Sequence, residues 1–171
     1  MFKVKNKKTN EIIQVLDVYC DAYGGSWFLI WENDGWRWRA ANNFVPPNYV
    51  PKKKVIVAGS RNFQNYPLLC KELDKIRESI AEIVCGEARG ADTLGRTYAY
   101  DNDIPIKSFP ADWHTYGAQA GYIRNQEMGD YADICIAFWD GQSPGTQHMI
   151  DYMEKLGKEV KVIRYDQQGT M

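Results

Sequence analysis

Residues 55–58, Val-Ile-Val-Ala, form a run of small and β-branched apolar side chains that ends at Gly59-Ser60-Arg61. Such a run predicts a buried strand that leads into a tight loop at the mouth of a parallel sheet. Glycine lets the backbone approach a ligand closely, and the loop amides, together with the N-terminus of the next helix, can bind an anion. Arg61 adds a guanidinium group that suits phosphate or carboxylate. Taken alone, the motif is also compatible with a plain turn.

From residue 51 onward, short apolar segments alternate with amphipathic ones. The predicted strands cover residues 54–58, 82–85, 105–109, 133–138 and 159–164, and the predicted helices lie near 66–80, 91–101, 118–130 and 144–157. This alternation is typical of parallel βαβ units, so we predict an α/β fold with a Rossmann-like, doubly wound parallel sheet. Ligands of such sheets bind beyond the carboxyl ends of the strands.

The first fifty residues have a different pattern. Four of the six tryptophans lie here, at Trp27, Trp31, Trp36 and Trp38. Residues 27–39 predict a hairpin with Asp34-Gly35 as its turn, and residues 2–5 and 12–19 predict further strands. The proline-rich residues 46–51 predict a linker. We therefore predict a small all-β module over residues 1–50, which resembles SH3-like barrels in its pattern, and a second domain over 51–171. The tryptophans are expected to form the core of the module, with an aromatic patch facing a ligand or partner as the alternative.

Composition restricts the partners. A formal net charge of −1 and a pI of about 6.1 give no general attraction to nucleic-acid phosphates, so nucleic acid is not the expected partner. The four cysteines lack metal-ligand spacing, and neither a metal nor a cofactor is predicted. The sequence shows neither a signal-peptide pattern nor an apolar run of about 20 residues, so we expect a cytoplasmic protein without a membrane partner. Homo-oligomerisation is left open.

Three further loops at the same predicted edge carry glycines and polar residues. The loop after the second strand supplies Gly86, Glu87, Arg89, Gly90 and Asp92; the region after the third supplies Asp112, Trp113, Tyr116, Gly121, Arg124 and Asn125; that after the fourth supplies Gly145 and Thr146. Loops of this composition suit stacking of a base and binding of phosphate. Asp92 is expected either to stabilise its helix start, or to bind a ribose hydroxyl or hold Arg89 in place. A solvent-exposed helical arginine is the simpler interpretation of Arg124.

Together these loops match a known pattern. The combination of Gly59-Ser60-Arg61, Gly-Glu-Ala-Arg-Gly-Ala-Asp at 86–92, Pro-Ala-Asp-Trp at 110–113, Gly121 with Arg124-Asn125, and Gly145-Thr146 resembles the YspA-type branch of the SLOG superfamily over residues 53–165. The resemblance implies a Rossmann-like fold, related to Lonely-Guy and DprA domains, that binds nucleotides or nucleotide-derived signals such as ADP-ribose derivatives. The addition of a small β module also resembles compact phage-encoded proteins.

The same resemblance bears on catalysis. Lonely-Guy-type phosphoribohydrolases carry a glutamate in a Gly-Thr-x-x-Glu motif, and here that position is Met149, with Asp151 as the nearest carboxylate. We therefore expect binding without turnover of an ADP-ribose, NAD-derived or cyclic-nucleotide signal, by a sensor or by a phage sponge that sequesters an immune messenger. One alternative is a nucleotide N-glycosidase or phosphoribohydrolase that uses Asp92, Asp112 or Asp151. Another is DprA-like nucleic-acid binding through residues 52–54, Lys-Lys-Lys, and the tryptophan–arginine hairpin.

Overall fold

A computed structural model describes residues 1–165 and divides the chain into two units, Met1–Val50 and Pro51–Met171. The first unit is an antiparallel sheet in the strand order β4-β3-β2-β1-β5. Its strands are β1 (Phe2–Asn6), β2 (Ile12–Cys20), β3 (Ser26–Glu32), β4 (Gly35–Ala40) and β5 (Phe44–Val45), with a 3-10 turn over Ala41–Asn43 before β5. The strands β1 to β4 follow one another as a meander, and β5 returns to pair with β1.

The core of the first unit excludes the tryptophans, so the prediction that they form it is wrong. Its buried residues are Val4, Val15, Ile30 and Phe44, whereas the four tryptophans are 36–54% exposed. Successive residues of a strand point to opposite faces, and Ile30 takes the inner face of β3. The hairpin turn also differs by one residue from the prediction: Asn33 and Asp34 have φ values of 45° and 61°, and Gly35 already pairs with Glu32. Asn and Asp tolerate this left-handed conformation better than most residues do.

The second unit is a parallel sheet with helices on both faces, as predicted. Its strands are β6 (Lys53–Gly59), β7 (Ile80–Cys85), β8 (Ile106–Ser108), β9 (Ile134–Trp139) and β10 (Glu159–Arg164), in the order β10-β9-β6-β7-β8. Its helices are α1 (Tyr66–Asp74), α2 (Ala91–Asp101), α3 (Trp113–Tyr116), α4 (Ala120–Tyr131) and α5 (Pro144–Lys155). The predicted helix near 66–80 ends at Asp74 because a 3-10 turn, Arg77–Ser79, leads directly into β7.

The alternation of side chains along β6 explains the two layers of helices. Val55 and Val57 pack with residues of α1 and α2, whereas Ile56 and Ala58 pack with residues of α4 and α5. After β6 the chain adds β7 and β8 on one side of that strand, and it then crosses over to add β9 and β10 on the other side. This reversal of strand order is the place where open α/β sheets bind ligands, at the carboxyl ends of the strands.

Candidate functional site

A pocket of about 570 Å³ lies at the carboxyl edge of the parallel sheet. Its lining comprises three arginines (Arg61, Arg89 and Arg124), residues 86–88 of the loop after β7, and Pro110, Ala111 and Trp113 from the segment after β8. The structure thus brings together residues from four separate segments of the chain. Three positive groups in one pocket suit a ligand with more than one negative charge.

The loop after β6 is held by its glycine and serine. A Cβ atom at Gly59 would lie 2.6 Å from the Cβ of Ala91 and would also meet the carbonyl oxygen of Phe138. Ser60 is buried, and its amide donates to the carbonyl of Phe138 at 3.1 Å. These contacts fix the end of β6 between α2 and β9. Ser60 therefore anchors the loop, while the adjacent Arg61 is exposed at the pocket.

The loop after β7 folds around the carboxylate of Asp92. One oxygen of that carboxylate accepts hydrogen bonds from the amides of Gly86, at 3.0 Å, and Ala88, at 3.4 Å. Between them Glu87 has a φ of 59°, an uncommon conformation for a residue with a side chain, and it forms an ion pair with Arg96. Gly90 has a φ of 82°, and a Cβ there would meet the backbone of Ser60 and Arg61. The loops after β6 and β7 therefore touch.

Arg124 connects this loop to the helices on the other side of the pocket. It donates to the carbonyl of Gly86, its Nε donates to Oδ1 of Asn125 at 3.1 Å, and its Nη1 lies 3.9 Å from Oδ2 of Asp92. Asn125 in turn donates to the carbonyl of Gly145, at 3.0 Å, at the start of α5. Only 12% of the Arg124 side chain is exposed, so it is not the solvent-exposed arginine of the simpler interpretation. Its position fixes one guanidinium group before any ligand arrives.

Asp92 has an unusual electrostatic environment. Burial raises the pKa of its carboxyl to about 6, against the lowering effects of Arg124, of the Ala88 and Gly86 amides, and of Arg61. The carboxylate is nearest to Arg124, not to Arg89 as one hypothesis held. The carboxylate of Asp92 holds the loop after β7 through two amides and lies beside Arg124, but it does not line the pocket.

We expect the Asp92 carboxyl to titrate near pH 6 in the folded protein, about 2 units above an ordinary aspartate. Because the folded state then binds the proton more tightly, the free energy of unfolding should fall as the pH rises from about 4 to 6, by up to about 3 kcal/mol. Asp92→Asn should remove this fall. Carboxyl-carbon NMR titration and urea unfolding across this range would measure both effects.

Asp112→Asn is the matched control for that titration. Hydrogen bonds with Thr115 lower the pKa of the Asp112 carboxyl, so its contribution is present above the unfolded pKa and is lost as the pH falls. The two variants should therefore change the pH dependence of stability in opposite directions. An Asp92 signal that titrates near 4 would contradict the effect of burial described above.

Several predicted site residues lie outside the pocket lining. Asp112 is the N-cap of α3 and accepts from the amide of Thr115 at 2.9 Å. Thr146 is buried and donates to Oγ of Ser143 at 3.1 Å, while Gly145 has open space where a Cβ would be. Asp151 is exposed and accepts from Nε2 of Gln147 at 2.5 Å. Tyr116 is also exposed at the end of α3 and does not line the pocket.

The ring of Trp113 lies at the pocket and against α4. A Cβ at Gly121 would be 3.4 Å from Cη2 of the indole, an ordinary contact distance, so the ring lies beside the first turn of α4. The indole is 52% exposed, which leaves part of its surface open. Sequence reasoning missed α3 itself, the Glu87–Arg96 ion pair and the contact of His148 with Asn125. Glu87 precedes α2 and lies nine residues before Arg96, so no helical spacing in the sequence indicates this ion pair.

Within residues 1–165, no cluster of three or more His, Cys, Asp or Glu side chains is arranged to hold a metal ion. Across the same residues, no helix is long and apolar enough to cross a membrane.

Comparison with known proteins identifies the family. The family described as "YspA, cpYpsA-related SLOG family" matches residues 53–116. The Gene 61 protein of Mycobacterium phage D29 is 32% identical over 115 residues, which cover 61% of this chain and 91% of that protein. The chain belongs to the YspA-related SLOG family. The resemblance to the YspA-type SLOG branch is thereby confirmed, and a phage protein is among its relatives. The likeness of residues 1–50 to SH3-like barrels stays a prediction.

The SLOG match also has a structural counterpart. An X-ray structure of DNA processing protein A (DprA) from Streptococcus pneumoniae aligns with a TM-score of 0.56 at 15% identity, over 70% of this chain. This chain spans about half of that one, 52%, and at this identity the likeness shows the fold alone. The SLOG family and the Rossmann-like fold fit nucleotide-related binding. The family match includes Arg61, Arg89 and Trp113, whereas Arg124 comes from α4, beyond the matched residues.

Proposed function

We propose that residues 51–171 form a nucleotide-binding SLOG domain that holds a nucleotide-derived ligand in the pocket beyond β6, β7 and β8. The ligand class is that of ADP-ribose and NAD derivatives or cyclic nucleotides. The observation that carries the proposal is the arrangement of Arg61, Arg89 and Arg124 beside one exposed tryptophan at the carboxyl edge of the sheet.

The charges of the pocket support binding of phosphate. Across residues 1–165, neither Arg61 nor Arg89 forms an ion pair, and both are exposed at the pocket. Glu87 is neutralised by Arg96, and Asp92 lies beside Arg124. Two positive charges therefore remain available to a ligand. Guanidinium groups can hold phosphate oxygens with paired hydrogen bonds, which favours a diphosphate or two separate phosphates.

Trp113 supplies a surface for the base. The Cη2 edge of the indole lies beside Gly121, and the side chain borders the same pocket as the arginines. Stacking of a base on an aromatic side chain stabilises a complex by about 1–3 kcal/mol without requiring a particular base. This arrangement suits a ligand that has both a base and phosphates.

The carboxylates favour binding without turnover. Met149, at the position of the Lonely-Guy glutamate, is buried in the core, and Asp151 bonds to Gln147 on an exposed helix face. Asp112 caps α3. Glu87 lines the pocket, but its carboxylate forms an ion pair with Arg96. A carboxyl positioned for acid–base catalysis typically contributes about 10²–10⁴ in rate, so a pocket whose carboxylate is held by an arginine should hydrolyse its ligand slowly. Retention of an intact ligand is what a sensor requires, and also what a sponge for an immune messenger requires.

We expect the protein to bind ADP-ribose, NAD or AMP and to release it unchanged. Isothermal titration calorimetry measures the binding, and chromatography of the denatured complex shows whether the glycosidic bond is intact. Repeated release of free base that disappears in Glu87→Gln or Asp151→Asn would replace this proposal with a phosphoribohydrolase. Lys71→Gln changes an exposed residue of α1 and serves as the control variant, which should bind and release the ligand as the unchanged chain does.

A further inference from the structure

The first unit has an exposed aromatic surface that its core does not use. This tryptophan face consists of Trp27, Trp31, Trp36, Trp38 and Tyr19, which are 36–55% exposed. The rings of Trp31 and Trp36 meet edge to face with centroids 5.2 Å apart, and those of Tyr19 and Trp38 lie 6.1 Å apart. The aromatic groups are therefore arranged as pairs across neighbouring strands.

The register of the strands places these rings on one side of the sheet. Trp31 pairs with Trp36 and Leu29 with Trp38, whereas the intervening Ile30 points to the core. Apolar rings of this size would normally be buried, and contiguous exposed apolar surface commonly marks an interaction site. The rings lie outside the buried core of the unit, so this face is a candidate interaction surface.

Two lysines share the tryptophan side of the sheet. Lys5 pairs with Ile12 and Lys3 with Gln14, while Val4 between them is buried in the core. A groove of about 490 Å³ is lined by Trp31 and Trp36 and by Ile12 and Gln14, the β2 partners of the two lysines. With strands spaced by about 4.8 Å, β1 lies about 10 Å from β3, a separation that a nucleotide can bridge from base to phosphate.

The positive charge of this side lies at the end of the groove that Trp31 and Trp36 line. Among the described residues, Lys3 and Lys5 form neither an ion pair nor a hydrogen bond through their side chains. Asp17, the carboxylate on the same side, accepts a hydrogen bond from the amide of Val18 at 2.8 Å. Asp21, at the edge, bonds to the indole of Trp27 at 3.0 Å and to two backbone amides. This side thus carries two lysines and two aspartates, but the lysines lie beside Ile12 and Gln14 of the groove, whereas Asp17 lies farther along β2, opposite Leu29.

We propose that the tryptophan face binds single-stranded nucleic acid, with bases stacked on Trp31, Trp36 and Trp38 and with phosphates held by Lys3 and Lys5. Sequence-tolerant binding of this kind combines aromatic platforms with flanking positive charge. DNA and RNA offer the same chemistry to such a surface. The proposal concerns residues 1–50 and does not depend on the nucleotide pocket.

Fluorescence anisotropy with the full chain tests it, using labelled oligo(dT) and oligo(rU) of about 16 nucleotides. Trp36→Ala and Trp38→Ala should each weaken binding about 5- to 150-fold, because each removes one stacking platform. Tyr100→Ala, an exposed aromatic change on α2, is the matched control and should leave binding unchanged. The two oligonucleotides distinguish DNA from RNA as the preferred strand.

Substitutions of the two lysines provide a second test, because they leave the aromatic surface unchanged. Lys3→Gln and Lys5→Gln should each reduce the slope of log affinity against log salt by about 0.7, whereas Lys71→Gln should not. Arg61→Ala should leave oligonucleotide binding intact, which separates this proposal from that of the pocket. Circular dichroism of each variant tests whether it is folded. If a tryptophan variant is unfolded, the affinities of the lysine variants test the proposal instead.

Two results would overturn the proposal. In the first, the oligonucleotides bind the tryptophan and lysine variants as tightly as they bind the unchanged chain, which would place any binding elsewhere. In the second, the oligonucleotides do not bind, and light scattering shows a dimer that Trp36→Ala converts to a monomer. The tryptophan face would then be a contact between two copies of the chain.

Discussion

Arg61→Ala, Arg89→Ala and Arg124→Ala should each weaken binding of ADP-ribose by about 10- to 150-fold, the effect of losing a hydrogen bond to a charged group worth roughly 1.5–3 kcal/mol. All three guanidinium groups line one pocket, and within residues 1–165 neither Arg61 nor Arg89 forms an ion pair that would compete with the ligand. Isothermal titration calorimetry with each variant measures the loss.

The controls for this series follow from the structure. Arg77→Ala removes an exposed arginine from the turn before β7, at the opposite edge of the sheet, and should leave the affinity unchanged. Arg61→Lys keeps the charge but loses the paired donors, so its affinity should lie between those of the unchanged chain and Arg61→Ala. Arg124→Ala also removes the bond to the Gly86 carbonyl, so its thermal stability must be measured alongside. Unchanged affinity in all three alanine variants would show that the phosphates lie elsewhere.

Gly90→Ala should destabilise the second unit by about 3 kcal/mol or more and abolish ligand binding. Gly90 has a φ of 82°, and a Cβ there would lie 2.8 Å from the carbonyl carbon and oxygen of Arg61. An unfavourable backbone conformation costs of order 1–3 kcal/mol, and forced overpacking typically adds another 1–3. Urea unfolding monitors the stability, and calorimetry with ADP-ribose monitors the site.

Gly117→Ala separates the two contributions. Gly117 has a φ of 50° and a ψ of −132°, near the 82° and −127° of Gly90, but nothing lies within 4 Å of the place where its Cβ would be. Its variant should show the backbone cost alone. The difference between the two variants then measures the steric cost of a side chain between the loops after β6 and β7. If they lose equal stability, the two loops can move apart to accept a Cβ without cost.

The sequence predicted the parallel sheet well because the signal is local. Residues 55–58 of β6 and 134–138 of β9 are buried on both faces, so an uninterrupted apolar run identifies these strands, and the loops that follow must share an edge. The short helix α3 escaped prediction because four residues carry no hydrophobic period, and its N-cap, Asp112, resembled a ligand-binding carboxylate.

Other features depend on contacts between distant parts of the sequence. The burial of Arg124 arises from contacts with Gly86 and Asp92, which lie 38 and 32 residues earlier, and no local pattern on α4 indicates it. The tryptophans were assigned to a core because size and apolarity usually imply burial. Which face of a two-sided sheet is covered depends on the returning strand, and Phe44 of β5 covers the side of Ile30.

The buried carboxyl of Asp92 makes the pocket a proton-coupled site. An anion held by Arg124 and Arg61 adds negative charge near this carboxyl, whose pKa burial already raises to about 6, and raises that pKa further. By thermodynamic reciprocity, protonation of Asp92 strengthens the binding of the anion by the same factor. When a ligand whose phosphates stay ionised binds near neutral pH, the Asp92 carboxyl should therefore take up a fraction of a proton. Slight acidification would then strengthen the binding of the ligand.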